Sequence, residues 1–122
     1  MYEITVRGNF SSAHNLREYR GKCEAIHGHN WKVEVSIICE DLNPEGMVMD
    51  FTIARNILDQ ILKALDHKYI NDVKPFDEVN PTSENIAKFI FQEFVKKIEG
   101  KLKVKRVTVW ETDNSCESYY ET

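Results

Sequence analysis

The order of periodic segments predicts an α+β protein, an antiparallel sheet carrying two helices on one face. Three observations lead there: apolar and polar residues alternate toward both ends of the chain, apolar residues recur at helical spacing in the middle, and turn-forming residues separate these stretches.

Tyr2, Ile4 and Val6 alternate with Glu3, Thr5 and Arg7, and Phe10, Ser12 and His14 extend the alternation to the end of a first strand. After a polar stretch from Asn15 to Glu24, Trp31, Val33, Val35, Ile37 and Cys39 mark a second. The chain turns at Asn43-Pro44-Glu45-Gly46, and Asp50 can cap a helix whose apolar residues Ile53, Ile57, Ile61 and Leu65 recur every four positions. That helix is expected to end near Asp66-His67. A second helix fits Thr82 as its cap, with Ile86, Phe89, Ile90, Phe94 and Ile98 as its buried stripe and Gly100 as its stop. Two strands follow, around Leu102–Thr112 and Cys116–Glu121. Leu102 and Val104 differ in parity from Val107 and Val109, which predicts a bulge between the pairs.

At 122 residues the chain is long enough for one hydrophobic core, so one domain over 1–122 is expected. Apolar residues make up 42% and charged residues 30%, the profile of a folding globular chain. The net charge is −4, and lysines and arginines form no stripe, which argues against nucleic acid as a partner. No apolar run approaches the roughly 20 residues of a membrane span, and the N-terminus lacks a secretory apolar segment, so a cytoplasmic protein that does not bind membranes is expected. The three cysteines are widely spaced, which predicts free thiols. Two helices cover only one face of a small sheet, and outward apolar groups such as Ile38 point to a partner subunit.

His27-Gly28-His29 carries the strongest chemical signal, because residues i and i+2 of a strand share a face and two imidazoles can reach one metal ion. The glycine would let another group approach closely. His14, at the end of the first strand, could be brought beside the pair by an antiparallel neighbour. Three histidines would leave a tetrahedral zinc with an open position, the mark of a catalytic site. Aspartates and glutamates are plentiful, however, and spacing alone leaves the third ligand open. Cys23 lies in the loop before His27, where a nearby cation would favour its thiolate and make it a base, though a ligand role or an inert thiol fits as well. Cys39 and Cys116 fall in apolar strands and are expected to pack as small hydrophobes.

Asp66-His67 places a carboxylate beside an imidazole for acid or base work, although a histidine also suits a helix end. Glu111 ends an apolar strand, where a buried carboxylate needs donors such as the N–H groups of a planar ligand. Glu84 in a first helical turn is favoured by the helix dipole whatever its function.

Together these residues resemble the 6-pyruvoyltetrahydropterin synthase family, including its relative 6-carboxytetrahydropterin synthase. The matching segments are Phe10-Ser11-Ser12-Ala13-His14, Cys23 to Asn30, Met49-Asp50-Phe51, Leu65 to Asn71, Pro81 to Asn85 and Val109-Trp110-Glu111-Thr112, which span nearly the whole chain. The resemblance implies a single zinc ion per subunit held by His14, His27 and His29, with Cys23 as the proton-abstracting thiolate. It implies that Asp66 and His67 work with such a cysteine, contributed from a neighbouring subunit. Glu111 would accept hydrogen bonds from a pterin ring, supported by Thr82, Ser83 and Glu84. The implied fold is the tunnelling fold, ββααββ subunits forming an oligomeric barrel, as a homohexamer with active sites at subunit interfaces.

The resemblance also bears on the reaction. Only Glu24, Ala25 and Ile26 separate Cys23 from His27, a gap resembling the carboxytetrahydropterin synthases of queuosine-type deazapurine biosynthesis. The expected activity is that of a lyase converting 7,8-dihydroneopterin triphosphate to 6-carboxytetrahydropterin with release of acetaldehyde and triphosphate. Glu24 matches a glutamate of the folate branch, so cleavage to 6-hydroxymethyldihydropterin is an alternative, with pyruvoyltetrahydropterin synthesis third. A zinc-stabilised binding module without turnover is the non-enzymatic alternative.

Overall fold

A computed structural model describes residues 1–122. Strands β1 (Tyr2–His14) and β2 (His27–Cys39) are followed by helices α1 (Phe51–Lys63) and α2 (Ser83–Val95), then by strands β3 (Lys103–Thr112) and β4 (Ser115–Tyr119). The strands form one antiparallel sheet in the order β1-β2-β3-β4. The predicted α+β architecture, two helices against a four-stranded antiparallel sheet, is therefore present, with β1 and β4 as edge strands.

Both predicted caps form. The Asp50 carboxylate accepts the Thr52 N–H at 2.7 Å, and the Thr82 hydroxyl accepts the Asn85 N–H at 3.1 Å, each satisfying a donor that the first helical turn leaves free. The predicted stripe of α1 is corrected. Its buried residues are Ala54, Leu58, Ile61 and Leu62, while Ile53 is 53% exposed. A strict four-residue repeat drifts around a helix of 3.6 residues per turn, so Ile53 leaves the face that Ile61 occupies. Helix α2 ends at Val95, before Gly100, and Ile98 packs against the core from the following turn. Cys39 is buried as expected, but Cys116 is exposed, because its pairing with Trp110 puts it on the face of the sheet without helices.

The predicted bulge lies in β3. Ser36 pairs with Arg106 and Ile37 with Val104, so Lys105 is the extra residue that returns both Val104 and Val107 to the core. Helix α1 packs on β1 and α2 on β3 and β4, enclosing a cluster of 23 buried apolar residues. Gly8 permits the first of these contacts: a Cβ there would lie 2.9 Å from Leu62 Cδ1 and 3.1 Å from Leu58 Cδ2. No helix is long and apolar enough to cross a membrane.

One end of the core face turns polar. Along β1 the inward positions run Phe10, Ser12, His14, and opposite them along β2 run Trp31, His29, His27. Phe10 and Trp31 stack with centroids 5.6 Å apart, and beyond them the apolar layer gives way to histidine.

Candidate metal centre

The register of β1 and β2 assembles the histidines. His14 pairs directly with His27, and Ser12 with His29, so all three imidazoles project from one face. Their centroids are 4.7 Å (His14–His27), 4.9 Å (His27–His29) and 5.4 Å (His14–His29) apart, with steeply inclined planes. Trp31 forms the apolar floor, 4.9 Å from His14 and 5.2 Å from His29.

Backbone carbonyls orient two of these rings. His14 Nδ1 lies 2.7 Å from the Pro81 carbonyl and His27 Nδ1 lies 2.9 Å from that of Ala25. A carbonyl only accepts, so each Nδ1 carries the proton and each Nε2 presents a lone pair, the arrangement that suits a metal ligand. Glu111 Oε1 lies 3.2 Å from His14 Nε2 and 3.1 Å from His29 Nε2. Even so, both of those buried nitrogens lack a hydrogen-bond partner. Buried orphaned nitrogens are costly unless something else satisfies them. His14, His27, His29 and Glu111 offer ligand atoms that all lie within 4.8 Å of one another, so this donor set of three imidazoles and a carboxylate could hold a metal ion. Burial holds the His29 imidazole below its ordinary proton affinity, partly opposed by the Glu111 carboxylate.

Cys23 is exposed and lies outside that group. Glu24 also stands outside it: its Oε1 accepts the Leu16 N–H at 3.1 Å and lies 3.8 Å from His27 Nδ1, while its own N–H bonds the Leu16 carbonyl. Glu24 thus closes the loop that displays Cys23. Close approach within the subunit does not require Gly28, since a Cβ there would meet only the Ser12 carbonyl at 3.8 Å.

Asp66 and His67 are fixed against the edge of β1. Asp66 Oδ1 accepts the Ser11 N–H at 2.9 Å, His67 N–H donates to the Ser11 carbonyl at 2.7 Å, and Ala13 N–H donates to the Lys68 carbonyl at 3.1 Å. His67 Nδ1 lies 2.9 Å from Asp66 Oδ2, and its side chain is 82% exposed with the backbone at φ 55°. The Ser11 N–H, with His67 beside it, holds the Asp66 carboxyl below the usual carboxylate range. The pair is therefore an ionised acid and an imidazole displayed outward, not folded onto this chain's own histidine group.

Thr82 spends its hydroxyl on the helix cap, and Ser83 and Glu84 form the first turn of α2, which the Pro81 carbonyl connects to His14. Residues to which the sequence assigned no role complete the surroundings. Asn15 and Asn71 are both buried and exchange two hydrogen bonds, 3.1 and 2.8 Å. Arg17 donates to the carbonyls of Asn71, Phe76 and Val79, tying the loop after β1 to the approach of α2. Paired asparagines and a loop arginine have no periodicity to betray them.

Residues 3–122 match the sequence profile of the family described as 6-pyruvoyl tetrahydropterin synthase. The chain belongs to that family. It is thus a tetrahydropterin synthase family enzyme, and the binding-module alternative is set aside. Similar proteins include a 6-carboxy-5,6,7,8-tetrahydropterin synthase of Synechocystis, 35% identical over 98% of this chain and 94% of its own. Another is a dihydroneopterin monophosphate aldolase of Pyrococcus furiosus, 35% identical over 88% of each chain. The structure of Caenorhabditis elegans 6-pyruvoyl tetrahydropterin synthase superposes with a TM-score of 0.84 at 23% identity, covering 99% of this chain and 96% of that one, a likeness of fold.

Proposed function

We propose that this family member is a zinc-dependent lyase that converts 7,8-dihydroneopterin triphosphate and water to 6-carboxy-5,6,7,8-tetrahydropterin, acetaldehyde and triphosphate. The observation that carries the metal is the convergence of three imidazoles, two of which, His14 and His29, hold buried and unpartnered Nε2 atoms. A zinc ion held by His14, His27 and His29 would supply a Lewis acid that polarises the substrate's side-chain oxygens.

Cys23, exposed on its loop and outside the donor set, is free to take a proton from the substrate side chain as the base. Glu111 accepts N–H groups of the pterin ring, and Thr82, Ser83 and Glu84 line the approach at the start of α2. Asp66 orients His67 for proton transfer. Because that pair faces outward from an edge strand, it serves a neighbouring copy in a homo-oligomer, a hexamer by family resemblance.

Incubation with dihydroneopterin triphosphate tests this reading: acetaldehyde and 6-carboxytetrahydropterin are the expected main products. The aldolase relative favours a second reading, cleavage to 6-hydroxymethyldihydropterin with Glu24 as the base. The Leu16 N–H engaged by Glu24 supports Cys23 over it. A predominance of hydroxymethyldihydropterin without acetaldehyde would reverse the assignment. Pyruvoyltetrahydropterin synthesis, the third reading, would show as triphosphate release without acetaldehyde or the hydroxymethyl product.

A further inference from the structure

Resting on the lyase reading above, we propose that Asn15 is a positioning residue that decides which of two adjacent bases serves the reaction. Held by Tyr69 and Asn71, it pins Glu24 out of use and leaves the neighbouring Cys23 as the base.

Four hydrogen bonds converge on Asn15, which is 9% exposed. Its backbone N–H donates to Asn71 Oδ1 at 3.1 Å and its backbone carbonyl accepts from Asn71 Nδ2 at 2.8 Å, so the Asn71 amide pairs with it as a strand partner would. The Asn15 side chain then bridges two segments. Its Nδ2 donates to the Glu24 carbonyl at 2.9 Å, and its Oδ1 accepts the Tyr69 hydroxyl. Because a carbonyl only accepts, the Glu24 contact fixes the orientation of the Asn15 amide and makes the Tyr69 hydroxyl a donor. Tyr69 and Asn71 flank Ile70, which is fully buried, so the anchor of Asn15 belongs to the core and not to the loop it holds.

Glu24 is tied at three points. Besides its carbonyl on Asn15, its N–H donates to the Leu16 carbonyl at 2.9 Å and its Oε1 accepts the Leu16 N–H at 3.1 Å. Leu16 follows Asn15 directly, so all three bonds depend on where Asn15 stands. Cys23, one residue before, is exposed.

The two bases lead to different products. Cys23 takes a carbon-bound proton of the side chain, the start of the conversion given above, which consumes one water and releases acetaldehyde and triphosphate. A freed Glu24 would instead take the proton of the second side-chain hydroxyl. The bond between the first and second side-chain carbons then breaks, its electron pair passes into the ring C=N bond and returns to the first carbon with a proton, and hydroxyacetaldehyde triphosphate leaves without water being consumed. Fixing Glu24 therefore fixes the product.

Asn15→Asp keeps the side chain's size and the acceptor for Tyr69 but turns an oxygen on the Glu24 carbonyl, whereas Tyr69→Phe removes the other anchor. Wild type and variants are given dihydroneopterin triphosphate, acetaldehyde and hydroxymethyldihydropterin are both quantified, and metal content is measured by elemental analysis. Each variant is expected to raise the ratio of hydroxymethyldihydropterin to acetaldehyde by about 5-fold, the weight of one hydrogen bond. The change should come from a fall in kcat for acetaldehyde release at nearly constant KM, with the metal retained. Adding Glu24→Gln to either variant should return the ratio to the wild-type level, because glutamine still accepts the Leu16 N–H but takes no proton. An unchanged ratio in both variants overturns the proposal, as does a raised ratio that Glu24→Gln leaves in place. Loss of metal in step with activity also overturns it, since the network would then be serving His14. If Asn15→Asp folds poorly, Tyr69→Phe with and without Glu24→Gln decides the matter. Wild-type protein that releases no acetaldehyde would instead overturn the lyase reading.

Discussion

The Pro81 carbonyl receives the Nδ1–H of His14 at 2.7 Å, which joins the last residue of β1 to the residue before the cap of α2 and turns Nε2 toward His29 and Glu111. The ring is nearly fully buried, so its orientation is set by the fold before any metal arrives. His27→Ala and His29→Ala should therefore keep the fold and lose the metal, and activity with it. Metal content per subunit by elemental analysis checks this, and full occupancy in both variants would refute the ligand assignment.

Cys23→Ala should retain metal and stability while losing nearly all turnover, since the thiol is exposed and outside the donor set. A variant that loses metal together with activity would make Cys23 a ligand instead.

The outward display of His67 beside Asp66 predicts complementation between subunits. His67→Ala should change stability by less than about 0.5 kcal/mol, as exposed substitutions do. Activity should nevertheless fall sharply. Mixed oligomers of Cys23→Ala and His67→Ala chains should regain part of the lost activity, because some interfaces then combine an intact cysteine with an intact histidine. No recovery after verified mixing would place the pair and the cysteine in the same subunit. Asp66→Asn keeps an acceptor for the Ser11 N–H and should hold the fold better than Asp66→Ala.

Burial, with the Glu84 carboxylate adding to it, pushes the Glu117 carboxyl from an ordinary 4.5 up to about 7, and its buried Oε1 has no partner. Between those values the folded chain holds a proton that the unfolded chain has released, so stability falls as pH rises through the window. Glu117→Gln should flatten this dependence. At pH 8 it should be more stable than the wild type by on the order of 1 kcal/mol, because solvent reaching this part-exposed carboxyl screens much of the cost of its charge. Denaturant unfolding at pH 5 and pH 8 measures both, and an unchanged slope would remove Glu117 as its source.

Gly8→Ala should destabilise the chain by about 1 kcal/mol, since the new methyl meets Leu62 and Leu58 at their movable ends. Thermal unfolding reads the change, and a stabilised variant would show that α1 has room to shift.

The alternation of β1 and β2, both helix caps and the bulge at Lys105 were legible in the sequence because each is local: a period, a short-range hydrogen bond, a change of parity. The same locality placed His27 and His29 on one face and marked Cys23, Asp66, His67 and Glu111 for attention. The face of α1 was misread because four-residue spacing only approximates a helical turn, and Leu58 and Leu62 reach the core in place of Ile53. Tertiary structure alone decided the rest. Strand register brought His14 opposite His27, the Pro81 carbonyl chose which nitrogen of His14 faces inward, and the end of β3 delivered Glu111 to the same point. Those contacts join residues from separate elements, and no period along one chain encodes a distance between two of them.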